Sequence, residues 1–235
     1  MRPPLELKIL ELTKERERLT LGELTEHLRV SDPTHIAKEL ADLDRDGVVA
    51  YAQGVVEVDH DRRMRVAERL IRSGQDPQRI SRFLDWQEFE NFAAASFERN
   101  GFGILKHFIF KGREGRREID LVAWSDTFLL LIDCKHWSRG LPPSQAKKVA
   151  QAQVDRASAL AEKPELLAKR GITRLDERKA IPMIFCLGDP RQSIVDGVPV
   201  VAVSKFVSFL HGVSPVGDGI TMIPFKVHST QSRLV

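Results

Sequence analysis

Cysteine is scarce in this chain, with two in 235 residues, Cys134 and Cys186, each inside an apolar, strand-like run. Two such positions make neither a disulfide framework nor a zinc cluster, and they read as reduced core residues. Long apolar runs are also missing, and none reaches the length that spans a bilayer. The opening MRPPLELKILELTKERERL is amphipathic and charged, without the continuous apolar region of a secretory signal. A cytoplasmic protein that does not associate with membranes is expected. Low-complexity tracts and internal repeats are lacking too. What is present is apolar material, 42% of residues, enough to build a core and to exclude wholesale disorder.

Charge is unevenly spread. Residues 1–60 carry 8 of the 36 Lys and Arg but 13 of the 33 Asp and Glu. The first sixty residues are therefore acidic and the remainder basic. The basic part can attract a polyanion that the acidic part repels. Such a split predicts two units with different tasks.

In the first unit Leu5, Ile9, Leu10 and Leu12, then Leu21, Leu24 and Leu28, recur on helical faces. SDPTHIAKELADLDRDGVV predicts a third helix. Ser31 or Asp32 can cap it, Pro33 suits its first turn, Ile36, Leu40 and Leu43 line one face, and Gly47 ends it. VVAYAQGVVEVDH then alternates around Gln53-Gly54, a two-residue hairpin turn. Three helices followed by a hairpin is the order of a winged helix-turn-helix. The third segment resembles the recognition helix of bacterial and archaeal winged-helix regulators, which implies a winged-helix domain over residues 1–60. That helix carries Asp32, Glu39, Asp42, Asp44 and Asp46 against Lys38 and Arg45, so contact with a protein partner stands beside DNA reading. Residues 61–84 hold seven Arg against three acids and read as a basic helical connector, with a solvated face or a phosphate-contacting one.

From Asp85 to the end, residues 85–235, the pattern is α/β. DWQEFENFAAASFERNGF predicts a helix stopped at Asn100-Gly101, FGILKHFIF a strand, and KGREGRRE a loop. A hairpin follows, then a long helix broken at Pro164, then strands in IPMIFCLGD, VPVVAVSKF and, at the edge, ITMIPFKV.

The hairpin EIDLVAWSDTFLLLIDCKHW carries charges that are costly inside a sheet. With Asp126-Thr127 as its turn, Asp120 faces Asp133 across the ladder. Lys135, two residues beyond Asp133, points to the same face. Opposed carboxylates both stay ionised only with a cation between them. Either Lys135 bridges both acids as a cross-strand ion pair, or the acids bind a metal. Oxygen donors suit Mg2+ or Mn2+ rather than zinc. With a metal, the arrangement best serves phosphodiester hydrolysis, and Lys135 orients the attacking water or stabilises developing charge.

These residues resemble the core of the PD-(D/E)XK nuclease superfamily, the restriction endonuclease-like fold that includes archaeal Holliday-junction resolvases and Mrr-like enzymes. Asp120 starts one strand, and Asp133-Cys134-Lys135 forms the acid-x-Lys end of the next, with a separation of thirteen positions between the two acids. EFENFAAASFERNGF resembles the helix that carries the family's Glu, which falls on Glu90 by register from Gly101, with Glu88 as second choice. Ile119 stands where many members have Pro, and Asp133 where Glu is commoner. The resemblance covers about residues 85–160. It implies an α/β fold class, with an α+β winged helix first and then a mixed sheet flanked by helices. It also implies a Mg2+- or Mn2+-dependent DNA endonuclease of repair, recombination or restriction, with Glu90, Asp120, Asp133 and Lys135 catalytic and the three acids on the metal. A homodimer is implied in the same way. Two rival expectations remain open, a catalytically inactive nuclease-fold DNA-binding regulator and an assembly module of a repair or helicase complex, and the metal site does not distinguish DNA from RNA.

Around this motif, Lys111, Arg113, Arg116 and Arg117 on the loop before Asp120 are candidate phosphate contacts. Gln153 and Arg156, on the helix after Lys135, are either nucleic-acid contacts or part of a solvated helix surface. Glu118 is expected to pair across from Lys135. His136 and Trp137 adjoin the site and either touch substrate or cap the sheet.

Overall fold

Leucine spacing builds the first helices. The computed structural model describes residues 4–113, 115–126, 128–137, 143–173, 179–212 and 219–225. It divides the chain into two units, Met1–Phe92 and Ala93–Val235. The first opens with α1 (Leu5–Leu12), β1 (Arg18–Thr20), α2 (Leu21–Leu28), α3 (Pro33–Arg45), β2 (Ala50–Ala52) and β3 (Val55–Glu57). Leu24, Leu28, Ile36, Leu40 and Leu43 are buried, as their helical spacing requires. Thr20 and Glu23 form a capping box on α2: Thr20 Oγ1 accepts from the Glu23 amide at 3.1 Å, and Glu23 Oε2 accepts from the Thr20 amide at 2.7 Å. Asp32 caps α3 with Pro33 in its first turn. Gln53 and Gly54 both take positive φ, 51° and 76°, as the tight turn between β2 and β3 demands. The sheet order is β1-β3-β2. β1 was not expected: three residues carry no period, and pairing with β3 alone defines it.

Residues 61–84, expected as a basic connector, fold within this first unit as α4 (His60–Arg72) and α5 (Pro77–Ser81). Val66, Ala67 and Leu70 of α4 are core residues. Arg63 is 5% exposed, so neither a solvated nor a phosphate-contacting face describes it. Its guanidinium donates to Glu88 Oε1 at 2.6 Å, Leu10 O at 3.0 Å, Thr13 Oγ1 at 2.6 Å and Phe83 O at 2.6 Å. A buried guanidinium is tolerable when paired and hydrogen-bonded in this way.

The helix α6 (Trp86–Arg99) begins in the first unit, and the division falls inside it, between Phe92 and Ala93. It ends at Gly101, whose φ of 84° closes the helix. The second unit continues with β4 (Gly103–Gly112), β5 (Gly115–Trp124), β6 (Leu129–Lys135), α7 (Pro143–Ala161), α8 (Pro164–Ala168), β7 (Lys179–Cys186), β8 (Ile194–Val195), β9 (Val198–Ala202), α9 (Phe206–Gly212) and β10 (Ile223–Pro224). Among the described residues its seven strands form one mixed sheet in the order β4-β5-β6-β7-β9-β8, with β10 on the start of β7. β4, β5 and β6 run antiparallel, β6, β7 and β9 parallel, and β8 antiparallel to β9. This mixed sheet with flanking helices is the expected fold class. β6 lies between β5 and β7, which explains its unbroken apolar run: a strand covered on both faces has no polar side to alternate with. Ala157 and Leu160 of α7 pack on Phe108, Val122, Leu129 and Leu131, and Ala150 packs on Ile184, Cys186 and Val200. Phe97 meets Phe185 and Phe206 edge-on at centroid distances of 5.8 and 4.5 Å.

One expectation fails here. KGREGRRE is not a loop. β4 continues to Gly112 and β5 starts at Gly115, so Lys111 and Arg116 are paired strand residues near a hairpin tip. Thr127 of the expected β5–β6 turn lies outside the described residues. The pairing on either side has the expected register, Trp124 opposite Leu129 and Leu121 opposite Ile132.

Candidate active site

Asp120 sits where β5 and β6 part. The ladder between them ends at Leu121–Ile132, one step before Asp120 would face Asp133. Here Asp120 Oδ2 accepts from the Cys134 amide at 2.8 Å. Its partially buried carboxyl is raised above the ordinary range, first by burial and then by the charge of Asp133. The Cys134 amide, Lys135 and Arg156 oppose the rise without cancelling it.

Asp133 is 4% exposed and surrounded by positive charge. Lys135 Nζ lies 2.7 Å from its Oδ2. That oxygen nonetheless lacks a partner in hydrogen-bond geometry, so this contact is an ion pair rather than a hydrogen bond. Arg156 Nη2 donates to Oδ1 at 2.7 Å. Gln153 aims the arginine. It is 0% exposed, its Nε2 donates to Leu131 O at 2.6 Å, and its Oε1 accepts from Arg156 Nε at 2.8 Å. The expectation of a solvated helix surface, or of a nucleic-acid contact, does not suit Gln153, because both ends of its amide are spent inside the protein. Gln153 is the lone polar residue among the buried Ala150, Ala157, Leu160 and Ala161 of α7, and spacing gave no further signal.

The other candidates are distributed differently. Glu118 pairs with His107 at 3.3 Å and not with Lys135, because β5 and β6 have already separated at that level. Arg113 is bound to Glu162 at 3.1 Å, and the carbonyl of Lys111 accepts from Lys163. Arg116 and Arg117 precede Asp120 by four and three residues along β5, roughly 13 and 10 Å in an extended strand, so the basic cluster does not abut the acids. Trp137 is fixed by two backbone bonds, its amide to Lys135 O and its carbonyl from the Gly188 amide, both 2.8 Å. Its ring lines a cavity of about 260 Å3 with Ile184, Cys186, Val195 and Val200, and so covers the sheet end. Burial, with the Asp189 charge, pushes the Cys186 thiol up to about 12, as befits a core cysteine.

On α6 the two candidate glutamates part company. Glu88 is committed to Arg63 and to a reciprocal cap, donating its amide to Asp85 Oδ1 at 2.7 Å and accepting from the Asp85 amide at 2.9 Å. His60, Asp85 and Glu88 offer ligand atoms within 4.8 Å of one another, but the cap and the Arg63 pair account for that cluster. Glu90 is 2% exposed and shares a helix face with Ala93, Ala94 and Phe97. It belongs to the first unit, and Asp120 and Asp133 to the second.

Chemically, Asp120 and Asp133 are hard oxygen donors suited to Mg2+ or Mn2+. Asp120 supplies the test of fit. Burial and the neighbouring Asp133 charge raise its carboxyl, and a cation between the two carboxylates would relieve that repulsion.

Residues 81–173 match the model of a restriction endonuclease family, Mrr_cat. An uncharacterized protein of Archaeoglobus fulgidus is 32% identical over 129 residues, which span 54% of this chain and 92% of that one. A solved protein of unknown function, AF1548, shares 22% identity over 53% of this chain and 54% of its own, with a TM-score of 0.28. The solved protein VC1899 from Vibrio cholerae shares 12% identity over 86% of this chain and 48% of its own, with a TM-score of 0.37. The chain thus spans about half the length of these two solved proteins.

Proposed function

The chain belongs, through residues 81–173, to the restriction endonuclease family, and from that premise we propose that it is a metal-dependent DNA endonuclease with its centre at Asp120, Asp133 and Lys135. The observation that carries this reading is the pair of carboxylates at the parting of β5 and β6, with Lys135 Nζ 2.7 Å from Asp133. Asp120 and Asp133 would hold Mg2+ or Mn2+. When bound, such an ion supplies Lewis-acid stabilisation of charge on the phosphoryl group.

The remaining work falls to this chain's own groups. Lys135, partly exposed beside the acids, orients the attacking water and faces the negative charge that develops on the phosphate. The Cys134 amide holds Asp120 in place. Gln153 and Arg156 hold Asp133 from the opposite side. Basic side chains of the second unit keep the DNA backbone near, which positions substrate without reading its sequence. The acidic first unit, in winged-helix order, is assigned to a protein partner or to DNA, and the working form is a homodimer in repair, recombination or restriction.

The test is cleavage of labelled duplex, flap, four-way-junction and single-stranded DNA in Mg2+, Mn2+ or EDTA, with Asp133→Ala in parallel. Cutting that needs metal and falls by at least ~100-fold in Asp133→Ala is expected, in keeping with the loss of one charge-stabilising group. Binding without cutting in any metal would overturn the catalytic reading and leave a DNA-binding regulator or assembly module.

A further inference from the structure

Asp133 has more positive charge around it than a structural carboxylate needs. Two carboxylates, Asp120 and Asp133, face two cations, Lys135 and Arg156, and both cations contact Asp133. Arg156 is aimed deliberately: its Nε is tied to Gln153, and Gln153 is tied to Leu131 O, two residues before Asp133 on the same strand. The guanidinium is therefore held from α7 and β6 together. Its side chain remains 23% exposed, so it also reaches solvent.

A divalent ion that takes both carboxylates must draw Asp133 Oδ1 away from Arg156 or bear the repulsion of a cation beside it. The displaced guanidinium needs another anion, and a phosphodiester suits its planar fork as well as a carboxylate does. We infer that Arg156 is a resident counter-ion that keeps metal affinity low in the free protein and passes from Asp133 to a DNA phosphate when substrate arrives. This rests on the metal-nuclease reading above. Metal and DNA then bind with positive coupling, and by linkage each tightens the other equally. Arg156 is here a positioning residue for Asp133 and a switch between two anions.

The experiment is Mn2+ binding to the full chain, read from the free-ion paramagnetic resonance signal, with and without a phosphorothioate duplex that resists cleavage. In wild type the duplex should tighten Mn2+ by roughly 5- to 150-fold, the usual span of such coupling. Arg156→Gln should bind Mn2+ at least ~5-fold more tightly than wild type without DNA, and the effect of DNA should shrink. Arg156→Lys, which keeps the charge but cannot hold Gln153 and Asp133 together, should fall between them. Unchanged or weaker Mn2+ binding in Arg156→Gln, with wild-type melting, would overturn the inference. Asp120→Asn and Asp133→Asn separate the two levels of argument: if neither weakens Mn2+ binding, the metal reading itself fails, and the counter-ion role fails with it.

Discussion

Asp120 is a charge that the fold tolerates at a cost. Burial and Asp133 raise its carboxyl above the ordinary value, so the folded protein holds that proton more tightly than the unfolded chain. The sign follows from linkage: stability falls as pH rises from the ordinary carboxylate range through the raised value, and the loss is complete above it. Asp120→Asn keeps an oxygen for the Cys134 amide and removes the charge. In EDTA at neutral pH it should melt at a higher temperature than wild type, and the difference should vanish in acid below the carboxylate range. Equal melting of the two proteins at neutral pH would refute this account of the site's charge. The register leading to Asp120 was legible from the sequence, because turn length alone sets Leu121 opposite Ile132; that the ladder ends there was not. The roles of Gln153 and Arg156 were not, because whether a polar residue on a helix faces water or a strand depends on packing.

Among the elements, the segments with strong periodicity were legible: α3 with Asp32, Pro33 and Gly47 as its punctuation, and β6 and β7 as apolar runs. β1 and β8 were not, since two or three residues become strand only by pairing with β3 and β9. The basic hairpin tip was misread because two glycines and six charges look like a loop, whereas Gly112 and Gly115 pair directly. At α2 the capping box gives a measurable case. Thr20→Ala should cost about 1 kcal/mol in urea unfolding. Glu23 is pulled down to about 2, chiefly by the Thr20 amide and then by Arg16. A depressed carboxylate stabilises above its unfolded value of 4.5, and the effect is lost as pH falls toward about 2. Glu23→Gln should flatten the acid limb of the stability profile over that window. Because Glu23 is still partly open to solvent, added salt should shrink the difference.

At the scale of the whole chain, acidic and basic charge are segregated along the sequence, a property that composition alone announced. No helix among the described residues is long and apolar enough to cross a membrane. The proposed attraction to DNA falls to the basic part, where Lys111, Lys163, Lys169 and Arg170 border one groove with Phe108 and Ile109. If about three phosphates are neutralised, affinity for an uncleavable duplex should fall roughly 40-fold between about 50 and about 200 mM salt. A salt-independent affinity would assign binding to apolar contacts instead. The parting of β5 and β6 has a spectroscopic consequence as well. The Cys134 amide proton points at a carboxylate. That one backbone resonance is therefore a built-in gauge of the charge on Asp120, displaced whenever a proton or a cation takes the oxygen it faces, and readable without any substrate being cut.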